Sequence, residues 1–160
     1  MTQSATKSLI TLNQLVDYFI WFANDVGSYL SNQKLQKLLY YAQAWYLALY
    51  DIPLFDEEFE AWIHGPTIPS LFYEYKEKFG FKPILKEVEK PDFSPELENF
   101  LEELNDDYFF RDAYELELMV RQEDPWLITR DGLPKDEPSH AIISKELMRD
   151  YYKTCVIETE

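Results

Sequence analysis

Residues Ser31 to Tyr50, SNQKLQKLLYYAQAWYLALY, constrain this chain more than any other stretch. Leu35, Leu38, Leu39, Ala42, Trp45, Tyr46 and Leu49 recur at three- and four-residue steps, so a helix gathers them on one face. Lys34, Gln36, Lys37 and Gln43 then fall on the other side, where solvent is expected. Ten residues further on, Glu60–Pro66 (EAWIHGP) changes the period. Phe59, Ala61 and Ile63 alternate with Glu60 and Trp62, the pattern of a short strand, and Gly65-Pro66 stops it. A long amphipathic helix beside so short a strand requires a fold in which helices cover a small sheet.

The remaining boundaries are marked by capping chemistry. Thr11 with Gln14 forms a capping box, with Ile10 and Leu15 placed as a hydrophobic staple. That first helix buries Leu12, Leu15, Val16, Phe19, Ile20, Ala23 and Val26, and Gly27 ends it. Ser31 caps the second helix and Asp51-Ile52-Pro53 closes it. Pro69 opens a third, with Ile68, Leu71, Phe72, Tyr75 and Phe79 inward and Gly80 as its stop. Phe81–Val88 reads as strand or extended chain, on an edge because of Pro83. Ser94-Pro95, Asp112 with Glu115, and Asp124-Pro125 open three further helices. Ala141–Ile143 is a short strand, and Ser144 begins a last helix that frays after Cys155. The expectation is one α+β, mainly α-helical domain of about six to seven helices around a small β-sheet. It spans 10–155, with flexible tails at 1–9 and 156–160.

Charge narrows the function. The chain carries −15, from 30 acidic against 15 basic residues, and has no basic run. Nucleic-acid binders displace counterions with lysine and arginine, so direct nucleic-acid binding is not expected. One cysteine, Cys155, leaves no disulfide and no paired-cysteine metal or redox motif. The N-terminus has no signal-peptide pattern, and no apolar run is long enough to span a membrane. A soluble cytoplasmic protein that does not engage membranes is expected.

Ordinary catalysis finds little material. There are two histidines, His64 beside the Gly-Pro turn and His140 before a strand, and both read as structural. No metal-ligand spacing and no clustered glycines occur, so neither a metal nor a cofactor is expected. Adjacent acids such as Glu102-Glu103 diverge on a helix and do not make a two-carboxylate site.

The words of the two opening blocks carry a further reading. Leu35, Lys37-Leu38-Leu39-Tyr40 and Gln43, followed by Glu60-Ala61-Trp62 and Gly65-Pro66, resemble the Panacea domain. This is the SocA-like antitoxin family, found beside diverse bacterial and phage toxins. Pro125-Trp126 is a weaker third signature. The resemblance runs from about Leu12 to Tyr152, with Thr67 as a departure where valine is common. It implies a non-enzymatic antitoxin that neutralises a cognate toxin by direct contact. Within the family the alternative is an adaptor that delivers the toxin to a AAA+ protease. From another class, the alternative is an enzyme using the His64 turn. Because the resemblance covers nearly the whole chain, an added DNA-binding domain is not expected. It also implies that the signature residues organise the core. The place of Trp62 between the apolar alternation and the turn separately predicts that its ring is mostly buried near Trp45, filling the helix–sheet gap.

Where a toxin would bind is read from charge. Lys86–Asp124 holds fourteen acidic and four basic residues, most of the chain's excess. Glu102, Glu103, Asp106 and Asp107, with Tyr108, Phe109, Tyr114 and Trp126 as aromatic anchors, form the candidate interface to a basic partner. The Lys34–Tyr41 face of the second helix is the alternative surface.

Overall fold

The computed structural model describes residues 8–159, with side chains through Val156. Its elements are α1 (Leu12–Val26), α2 (Asn32–Tyr50), β1 (Phe59–Trp62), β2 (Gly65–Thr67), α3 (Pro69–Phe79), α4 (Pro95–Tyr108), α5 (Ala113–Val120), α6 (Asp124–Arg130), β3 (Ile142–Ile143) and α7 (Lys145–Thr159). The expected mainly helical α+β architecture is therefore present, with seven helices among the described residues.

Capping decides the helix boundaries much as anticipated. The Thr11 hydroxyl accepts the Gln14 N–H at 3.1 Å, and Gln14 Oε1 accepts the Thr11 N–H at 2.9 Å. Ser31, Ser94 and Asp112 cap α2, α4 and α5 through their side chains. Asp51 ends α2 in the left-handed conformation, which aspartate tolerates better than most residues. At the N-terminal end, expected to be loose through residue 9, Leu9 and Ile10 are held. Their N–H groups reach the Pro53 and Leu54 carbonyls. Residues 1–7 of that expected tail lie outside the described residues, as does Glu160. α7 continues to Thr159 rather than fraying after Cys155.

The sheet is antiparallel, in the order β2–β1–β3. The anticipated stop at Gly65-Pro66 is instead the second strand of a hairpin. Trp62 pairs with Gly65, Ala61 with Pro66 and Glu60 with Thr67. Pro66 is tolerated because β2 is an edge strand. The Thr67 hydroxyl, buried here, donates to the Gly65 carbonyl at 3.1 Å. Of Phe81–Val88, Phe81 and Lys82 form a turn and the rest joins no strand; Ile84 anchors the segment, with its N–H 2.7 Å from the Leu30 carbonyl.

α2 forms the axis of the molecule. α1, α3, α4, α5 and β2 pack on it, and α7 is its most extensive neighbour. This overturns the two-faced reading of that helix. Lys34, Gln36, Lys37 and Gln43 are buried along with the leucines, whereas Leu49 is exposed. The side expected to meet solvent is covered by other elements, and long polar stems pack there as apolar surface. In α1 the stripe shifts similarly: Tyr18 is buried and Val26 is exposed.

Candidate functional site

Most of the signature residues converge inside. Leu35, Leu38, Leu39 and Tyr40 are fully buried, and the Tyr40 ring meets Phe59 of β1 edge-on at 5.4 Å. The buried amides of α2 act as clamps on the surrounding chain. Gln43 accepts the Leu54 N–H at 2.7 Å and donates to the Phe55 carbonyl at 2.8 Å. Gln36 accepts the Ile68 N–H at 2.8 Å, just where α3 begins. Buried polar groups need such partners, and here the partners are backbone groups of loops that would otherwise lack any.

Lys37 lies under the hairpin turn. Its ammonium approaches Gln33 at 3.3–3.4 Å, and burial pulls its pKa down to about 8. Gly65, at φ +115°, passes directly over it. A Cβ there would stand 3.4 Å from Lys37 Cε and 3.1 Å from Val120 Cγ1. The glycine of the signature is thus required by backbone conformation and by close approach together.

Glu60 and Trp62 share the outer face of β1. The Trp62 indole N–H donates to Glu60 at 2.8 Å, and His140 Nδ1 lies 3.1 Å from the same carboxylate. Trp62 is half-buried against Phe72, Tyr73 and His140, not sealed in the core beside Trp45. Even-numbered positions of β1 point away from α2, which accounts for the displacement. The tryptophan that is sealed in is Trp126. Its N–H reaches the Trp62 carbonyl at 2.8 Å, and the Arg130 guanidinium stacks on it at 4.5 Å. Arg130 in turn holds the Ala61, Pro134 and Glu137 carbonyls.

Behind these lies a tyrosine cluster. Tyr41 and Tyr152 both donate to Glu123 Oε1, at 2.9 and 2.6 Å. Burial pushes the Glu123 carboxyl above the usual range, and the two hydroxyls oppose the shift.

The outer surface of α4 carries Glu102, Glu103, Asp106 and Asp107, all exposed. Three other acids of this region are ion-paired: Glu98 with Lys90, Glu115 with Arg111 and Glu117 with Arg121. These four have no ion-pair partner among the described residues. Asp106 and Asp107 also occupy the last turn of α4, the negative end of the helix dipole, where basic residues are preferred and none is present.

Beside this ridge, between α2 and α4, is a cleft of about 170 Å³. It is walled by Trp45, Leu49, Phe100, Leu104 and Tyr108 and rimmed by Glu103 and Asp107. Tyr108 is part of that wall, stacked on Tyr41 at 4.1 Å and accepting the Trp45 N–H at 2.7 Å. It is not a protruding anchor. Phe109 and Trp126 are buried, so neither is a surface contact; Tyr114 is exposed as expected. The missed aromatic is Phe110, which stands out of the surface where Phe109 turns in. No periodicity distinguishes such neighbours in a turn.

The family model described as Antitoxin SocA-like, Panacea domain, matches residues 35–127. The chain belongs to that family. The match begins at Leu35 in α2 and ends at Leu127 in α6, so it takes in each signature described above. Curated proteins and solved structures give no match. Panacea membership points to an antitoxin role with a toxin partner, and away from an enzyme.

In this Panacea domain, the His64 side chain is 63% exposed, 3.3 Å from Glu117, a carboxylate that Arg121 already engages at 3.0 Å. No cluster of three or more potential metal ligands occurs among the described residues. Nor is any helix of the described residues long and apolar enough to cross a membrane.

Proposed function

We propose that this Panacea protein neutralises a cognate toxin in the cytoplasm by binding it directly through the α4 ridge and the α2–α4 cleft. One observation carries the reading. Four carboxylates without ion-pair partners line one helix face, two of them at the end where the helix dipole disfavours them, beside an open apolar cleft. Sequences break such local rules most often at functional sites, where a partner's charge supplies the balance. A basic toxin surface does so here: its cations meet Glu102, Glu103, Asp106 and Asp107, and the aliphatic stem of one lysine or arginine enters the cleft against Trp45.

The test is co-expression with the product of the neighbouring open reading frame, scored by growth rescue and co-purification. The combined variant E102Q/E103Q/D106N/D107N is expected to fold normally and to lose rescue. Unchanged rescue and co-purification would overturn the assignment of this face. Rescue that vanishes in cells lacking AAA+ proteases, while the toxin still co-purifies, would replace neutralisation by delivery for degradation.

A further inference from the structure

On a different side of α2, its N-terminal turn and that of α5 open onto one groove of about 370 Å³. Ser31 and Asp112, the two N-caps, both line it. Lys34 forms part of its floor. The residue is only 8% exposed, and its ammonium sits 4.5 Å above the Phe109 ring. The ammonium makes no hydrogen bond and no ion pair among the described residues, so its three N–H donors face the ring and the groove. Asp112, whose charge acts on the ammonium, gives one oxygen to the Glu115 N–H of its own helix. Burial disfavours the charged ammonium and Asp112 offsets that only in part, while two helix N-termini beside it add positive potential. The groove therefore favours an anion, in a molecule whose net charge is −15.

The walls say what carries that anion. Tyr29, Phe81 and Phe110 are 76%, 82% and 65% exposed and surround the opening. Small-molecule sites enclose their ligand, whereas protruding aromatics around a shallow groove are the composition of a protein-binding surface. We propose that this groove is a second docking site, which takes a carboxylate side chain of a partner polypeptide flanked by apolar residues. The carboxylate bonds the Lys34 ammonium, and the flanking residues cover Tyr29, Phe81 and Phe110. The site is independent of the α4 face and of the toxin reading.

The test titrates the full-length protein with a capped heptapeptide containing one central glutamate among leucines and tyrosines, against its glutamine twin. Binding is followed by amide chemical shifts at Ser28–Ser31 and Ala113. The glutamate peptide is expected to bind about tenfold tighter, the difference due to a hydrogen-bonded charge. Lys34→Met, which keeps the stem over Phe109, is expected to abolish that difference. Phe81→Ser, at an exposed position, is expected to weaken both peptides. Equal binding of the two peptides, absence of binding, or a preference that survives Lys34→Met would overturn the proposal. Binding of phenylacetate as tight as that of the peptide would overturn the polypeptide assignment in favour of a free acid. If Lys34→Met does not fold, the glutamate–glutamine comparison and Phe81→Ser decide alone.

Discussion

A single amide, that of Gln43, holds two backbone groups of the loop that follows α2. Replacing it with leucine keeps the volume and orphans both the Leu54 N–H and the Phe55 carbonyl. Each buried orphan costs roughly 1–3 kcal/mol, so Gln43→Leu is expected to be among the most destabilising conservative changes, measured by urea denaturation. Lys37 has the opposite character. Its folded pKa, about 8, lies below the ordinary value of 10.5 because burial disfavours the charge. Below about 8 both folded and unfolded chains hold the proton, and the penalty is complete. Between about 8 and 10.5 the unfolded chain binds more protons than the folded one, so this group's contribution to stability rises with pH. Lys37→Met is therefore expected to be more stable than the parent at neutral pH, with the advantage shrinking towards pH 10. An advantage constant across that range, in melts from pH 7 to 10, would show that Lys37 does not titrate as described.

At the scale of elements, the role proposed for α4 sets stability against recognition. Asp106 and Asp107 oppose the helix dipole, an effect of about 0.3–1 kcal/mol each at exposed positions. Asp106→Asn with Asp107→Asn is expected to raise the melting temperature while slowing toxin association; a lowered melting temperature would contradict the account of α4. The element boundaries were legible in sequence, because caps such as Thr11, Ser31, Ser94 and Asp112 act over three residues and need no tertiary information. The β1 strand and its buried Phe59 and Ala61 were legible for the same reason of short period. What sequence did not disclose was which helix lies in the middle. Periodicity sorts Gln36, Lys37 and Gln43 as polar, yet it is their tertiary neighbours that decide burial, and those come from Leu54, Ile68 and Val120 far along the chain. The α4 acids were legible as a cluster. That Phe109 turns inward while Phe110 turns out depends on the backbone of one turn, and the cleft beside the ridge exists only once α2 and α4 are packed.

For the molecule as a whole, a net charge of −15 acts at long range. Encounter with a basic toxin is expected to slow steeply as salt rises, since exposed charges are screened beyond about 8 Å at physiological ionic strength. Dissociation should change far less. Stopped-flow rates that are flat in salt would leave the α4 carboxylates with only a solubilising role. Those rates have a convenient optical handle. Trp45 forms a wall of the α2–α4 cleft and donates its indole N–H to Tyr108, whereas Trp126 is sealed against Arg130 and Trp62 lies on the outer face of the sheet. A side chain entering that cleft changes the polarity around one indole of four, so the emission spectrum of the unlabelled protein reports occupancy. Trp45→Phe is expected to silence that reporter while leaving the four carboxylates of α4 in place.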